Sequence, residues 1–138
     1  MAYATVADMV ERFGLIEMIR LSSRDNALTE AVDGARVETI LADVSAVIDS
    51  HLRKRYAVPL SPVPREILRC CCILARHDLA QGGEQTPSAE MVKERDQQLD
   101  WLASMASSEG GLDCAPASTA SDARVQDRER DFTGMGLP

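Results

Sequence analysis

GARVETILADVSAVIDSHLRKRY, residues Gly34 to Tyr56, is the stretch from which the fold follows. Val37, Ile40, Leu41, Val44, Ile48, Leu52 and Tyr56 recur at spacings of three and four, the period of one buried helical face. Arg36, Asp43, Asp49 and Arg53 fall off that stripe. The spacing predicts a helix over 34–56, about 33 Å long. Arg53, Lys54 and Arg55 would occupy its last turn, where cations complement the helix dipole.

Outward from this helix the punctuation is equally local. Pro59, Pro62 and Pro64 exclude helix between 57 and 64, because proline lacks an N–H and restricts its predecessor. The next helix is predicted over 65–79. Ile67, Leu68, the run Cys70 to Leu74 and Ala75 make it apolar on nearly every side, which places it at the centre of a bundle. Gln81-Gly82-Gly83 ends it. Thr86-Pro87-Ser88 supplies a cap and a first-turn proline for a helix over 89–107, with Val92, Leu99, Leu102, Met105 and Ala106 facing inward. On the N-terminal side, Thr5 caps a helix over 6–13 with Asp8 in capping-box position, Gly14 closes it, and a short turn of helix follows over 16–21. The expectation is an all-α chain of about four main helices spanning residues 1–111. Val44, Ile48, Leu52, Leu68, Cys71, Cys72, Leu74 and Leu102 form its core. Residues 112–138, rich in Ala, Ser, Asp and Arg without periodicity, read as an irregular docking tail.

Composition supports one helical domain. The 138 residues are 45% apolar but only 4% aromatic, so the core is built from Leu, Ile, Val, Ala and Met. The formal charge of −7 argues against a general binder of nucleic acid or anionic membrane. No apolar run approaches the ~20 residues that span a bilayer, and the N-terminal residues lack the pattern of a secretory signal, so a cytosolic setting or a particle assembled there is expected.

The residues that could carry chemistry read more simply as structure. Cys70, Cys71 and Cys72 are adjacent, have no C-x-x-C spacing and cannot staple a helix, so with His77 they suggest packing rather than zinc. Asp43 and Asp49 project about 120° apart on a helix and do not converge as paired acids. Asp49 is placed instead to pair with Arg53 at i,i+4. Ser45, Asp49 and His51 share one helix and make no nucleophile elbow. Arg53-Lys54-Arg55 could touch phosphate, but a helix end facing solvent or an acidic partner is the simpler reading. No phosphate-binding glycine loop is present, since Gly82-Gly83 is not followed by Lys-Ser or Lys-Thr. Neither an enzyme nor a cofactor is expected. Asp49, Arg53, Arg55, Tyr56 and Pro59 stand out as structural or interface candidates, with Arg55 placed to donate to orphan helix carbonyls or to Asp25. Arg124, Arg128, Arg130, Phe132, Met135 and Leu137 are the contact residues of the tail.

Several segments together resemble one family. They are Tyr3-Ala4-Thr5 with Asp8 and Arg12-Phe13-Gly14; Asp43-Val44-Ser45, Ile48-Asp49 and Leu52; Arg55-Tyr56-Ala57-Val58-Pro59-Leu60; Val63-Pro64; Ile73-Leu74-Ala75-Arg76; Val92-Lys93-Glu94-Arg95; and Trp101-Leu102. This order is similar to that of the Mu-like phage head-completion, or head–tail connector, proteins, over about residues 2–106. The resemblance implies a structural adaptor of the virion that forms a ring under the portal protein, dodecameric if it matches the portal. On its other side it would meet a tail-side connector or tail terminator protein, with DNA only as passing cargo. The competing reading is a cytosolic helical scaffolding or regulatory protein that binds other proteins. A DNA-binding regulator should show a recognition helix with clustered basic and amide residues, and none stands out.

Overall fold

The computed structural model describes residues 2–23, 30–81 and 86–107. These form five helices: α1 (Val6–Phe13), α2 (Leu15–Ser22), α3 (Gly34–Leu52), α4 (Arg65–Gln81) and α5 (Ala89–Ala106), and no strand occurs among the described residues. The all-α expectation holds. The boundary placed at residue 111 and the whole tail, including Cys114, lie outside the described residues.

Side-chain caps open α1, α3 and α5. Thr5 accepts the Asp8 N–H at 3.1 Å while the Asp8 carboxylate accepts the Thr5 N–H at 2.9 Å, a complete capping box. Gly14 ends α1 at φ 96°, a conformation that costs a residue with Cβ but not glycine. Its N–H bonds Val10 and its carbonyl accepts the Met18 N–H, so one residue closes α1 and opens α2. Asp33 caps α3 through the Arg36 N–H, and Ser88 caps α5 through the Met91 N–H. Pro87 thus precedes the cap instead of standing in the first turn.

The long helix is shorter than its periodicity suggests. α3 stops at Leu52, and Arg53, Lys54 and Arg55 fall in the turn beyond it. The N–H groups of Arg55 and Tyr56 both turn back to the Leu52 carbonyl, which tightens the chain so that Tyr56 is buried ahead of the proline connector. The periodicity continues through Tyr56 although the helix does not, because the turn returns its ring to the same side.

α4 is the central helix, packed against α2, α3 and α5. Ile67, Cys70, Cys71, Cys72, Leu74, Ala75 and Leu79 are all buried in it, as is His77. α3 contributes Val37, Leu41, Val44, Ile48 and Leu52, and the N-terminal segment adds Tyr3, Ala4, Met9 and Met18. Leu68, expected in the core, is only half-buried: it sits at the edge where α1 and the start of α4 open to solvent beside Asp8, Arg12 and Arg65. α5 is also shallower than its stripe implies. Leu102 is fully buried and Gln98 nearly so, while Val92, Leu99, Met105 and Ala106 stay half-buried at the outside of the packed layer.

Candidate functional site

The residues singled out near the end of α3 meet there, and residues distant in sequence join them. The Tyr3 N–H donates to the Ser45 hydroxyl at 2.9 Å, which in turn donates to the Leu41 carbonyl at 2.7 Å and lies 3.6 Å from the Cys71 sulfur. The Tyr3 phenol donates to the Asp49 carboxylate and accepts the N–H of Leu60 at 2.9 Å. One tyrosine therefore ties the N-terminal segment to α3 and to the proline connector. The expected Asp49–Arg53 ion pair is replaced: the carboxylate is engaged by Tyr3, and Arg53 reaches only the Asp49 backbone carbonyl, at 3.5 Å.

Arg55 donates from Nη1 to the carbonyls of Met105, at 3.1 Å, and Ser107. These close α5, not α3. The reason is visible in α5 itself, whose last turn carries no basic residue to balance its carbonyl end. The guanidinium also lies 5.2 Å from the centre of the Tyr56 ring. Asp25, the other partner considered for Arg55, is outside the described residues. Arg36 does the same service at the opposite end, donating to the carbonyls of Leu21 at 2.9 Å and Leu79 at 3.4 Å, the ends of α2 and α4. Pro59 is exposed on the connector, and Arg53 and Lys54 face solvent.

A second cluster centres on Arg76. It meets Glu17 at 2.6 Å and Glu94 at 3.5 Å and stacks over Phe13 at 4.7 Å, joining α1, α2, α4 and α5. Sequence reasoning assigned Arg76 and Tyr3 no role. The only signal was their place in the motifs that carry the family resemblance, which also include Phe13, Ser45, Asp49, Arg55 and Glu94.

The three cysteines of α4 are buried free thiols. Burial pushes the Cys70 thiol up to about 12 and Cys72 up to about 11, with the neighbouring Cys71 adding to both, and burial raises Cys71 as well. They are held as neutral thiols at physiological pH. His77, buried beside them, has its Nδ1 3.4 Å from the Asp78 carboxylate. Among the described residues no three His, Cys, Asp or Glu side chains converge as a metal site, and no helix is long and apolar enough to cross a membrane. The surface has shallow grooves. One, of 370 Å³, is lined by Ile16, Glu17, Arg20, Leu21, Arg76 and Met91.

The arrangement is one of helix ends pinned by arginines and a tyrosine. Residues 3–129 match the family described as Bacteriophage Mu, Gp36. This chain belongs to that family. It is similar to gene product J of Escherichia phage Mu, 33% identical over 102 residues that cover 74% of this chain and 70% of the relative. It is also similar to the Mu-like prophage FluMu protein gp36 of Haemophilus influenzae, 35% identical over 77 residues, 56% of this chain and 53% of the relative. As a member of the Gp36 family it is a bacteriophage protein. The family match runs past the last described residue, Ser107, to residue 129. Arg124 and Arg128 of the expected docking tail fall inside it, whereas Arg130, Phe132, Met135 and Leu137 fall beyond.

Proposed function

We propose that this Gp36-family chain is a structural head–tail connector of the virion: a ring of helical subunits under the portal protein that joins head to tail and lets DNA pass. The observation that carries the reading is the family match over 3–129, which takes in both the helical domain and much of the polar segment after it. A compact domain with an appended segment suits a subunit that packs beside its neighbours while an arm reaches a portal or tail-side protein. The net charge of −7 suits a passage along which DNA slides without adhering, since binding DNA would require neutralising its phosphates. The ring is dodecameric where it matches a portal of that symmetry.

The test is genetic. A Mu-type phage with a nonsense codon early in this reading frame should accumulate DNA-filled heads and separate tails, visible by negative-stain microscopy, and a plasmid copy should restore joined particles. The protein should be found by mass spectrometry in purified virions. Normal yields of joined particles without the chain would remove the connector role.

A further inference from the structure

The surface carries three large, exposed aliphatic side chains among the described residues: Leu15 at 53%, Ile16 at 55% and Val47 at 44% exposure. They form two separate patches. Leu15 and Ile16 open α2, and Ile16 lines the 370 Å³ groove with Arg20, Leu21, Arg76 and Met91. Val47 stands on the outer face of α3, beside exposed Ala46, Asp43 and Ser50, none of which borders that groove.

The two patches are complementary in charge as well as apolar character. On α2, exposed Ile16 is followed four residues later by exposed Arg20; on α3, exposed Asp43 is followed four residues later by exposed Val47. Each pair spans one helical turn. Two helices laid antiparallel would therefore bring Ile16 against Val47 and Arg20 against Asp43 in a single register. Among the described residues neither Arg20 nor Asp43 is in an ion pair within the subunit; Arg76, by contrast, is already held by Glu17 and Glu94. The wall of the groove is thus fixed while its charged rim is available. Laid antiparallel on a copy of itself, either patch would set an aliphatic side chain against a charge, Ile16 against Arg20 or Val47 against Asp43, and laid parallel it would set like charges together, so the complement lies on the other patch.

We propose that the chain binds a second copy of itself head to tail. The α2 patch of Leu15, Ile16 and Arg20 on one subunit takes the α3 face of Asp43 and Val47 on the next. Such an interface uses two different surfaces and leaves one of each unfilled at the ends, so it propagates, into a ring where the rotation between neighbours closes and into an open filament where it does not. It deepens the connector reading by naming the contact between neighbours, and rests on that reading for closure into a ring.

Sedimentation velocity on the full chain, up to about 1 mM so that contacts with millimolar dissociation constants are seen, provides the test. The wild-type chain should form species larger than a monomer. Ile16→Asp and Val47→Asp should each weaken that association on the order of tenfold or more. An equimolar mixture of the two should form a dimer and nothing larger, because one intact α2 patch and one intact α3 patch remain between them. Arg20→Glu and Asp43→Arg should each weaken association, and the two together in one chain should restore it. All four positions are exposed, and far-UV circular dichroism checks that each variant keeps its helices. If an aspartate variant does not fold, the charge exchange decides alone. A wild-type chain monomeric throughout, variants that associate like wild type, or a mixture with no dimer would each overturn the contact. Association through another face would leave the connector reading standing, whereas heads that join tails without the protein would end that reading and leave the contact intact.

Discussion

Tyr3 is the side chain whose loss should be felt most widely for its size. Its phenol is the partner of both the Asp49 carboxylate and the buried Leu60 N–H. Tyr3→Phe keeps the ring and removes both bonds at once, leaving Leu60 without its donor's partner in a buried site. Stability should fall by about 1–3 kcal/mol in urea denaturation, with the helical signal of the folded state unchanged. An unchanged midpoint would show that water replaces the phenol without cost. The three buried thiols make a different prediction, about pH. Their folded-state values are raised above the ordinary 9.0 by burial, to about 12 for Cys70 and about 11 for Cys72. The folded state therefore holds these protons more tightly than the unfolded chain, and the stability this contributes is complete below about pH 9. It should be lost progressively as pH rises from 9 towards 11 and 12, because only the unfolded thiols ionise readily there. Denaturation midpoints measured from pH 8 to 11 should fall less steeply for Cys70→Ala than for the wild type, beyond its fixed cost in packing. Equal slopes would mean that burial does not shift that thiol.

At the scale of the helix, the end of α5 depends on a residue outside it. α5 has no cation of its own in the last turn, and Arg55, fifty residues back, supplies donors to Met105 and Ser107. Arg55→Ala should therefore speed amide hydrogen exchange selectively in the last turn of α5, around Met105 to Ser107, with little change at the centre of α4. Arg55→Lys should give an intermediate result, since an ammonium can donate but lacks the planar fork. Uniform loss of protection throughout the domain would instead make Arg55 a general stability residue. The same contact shows what could and could not be read from sequence. Helices α1 to α5 were legible because capping residues, glycine and proline act on their immediate neighbours, and the three–four spacing reports which face is buried. That orphan carbonyls would need Arg55 was also legible; which helix owned them was not, because that depends on how α5 comes back against α3. Leu68 and Asp49 were misjudged for the same reason. An apolar residue on a nearly all-apolar helix can still meet the one open edge, and a carboxylate with an arginine at i+4 can find a better partner in a tyrosine forty-six residues away. Arg76 was invisible as a hub, since its partners come from α1, α2 and α5.

For the whole molecule the question is how the helical domain and the segment after it divide the work. The helical core is closed by contacts among the described residues: α4 is covered by α2, α3 and α5, and the end of α5 is capped by Arg55. The family match nonetheless continues to residue 129, so the segment belongs to what Gp36-family chains share. On the proposed reading Arg124, Arg128, Arg130, Phe132, Met135 and Leu137, set among Ala, Ser and Asp, are its contact residues. If a segment of this kind orders on docking, the ordering costs roughly 2–5 kcal/mol of the gross interaction. Neighbouring subunits held together on one portal would offset part of that cost by raising the effective concentration. A chain ending at Gly111 separates the two contributions. It should retain the ellipticity and melting midpoint of the full chain, and the head-to-tail contact between α2 and α3, while heads assembled with it fail to hold tails. Joined, infectious particles made with the truncated chain would show that the helical domain alone makes the junction. A fall in melting midpoint of more than a few degrees would show that the segment packs on the core and stabilises it.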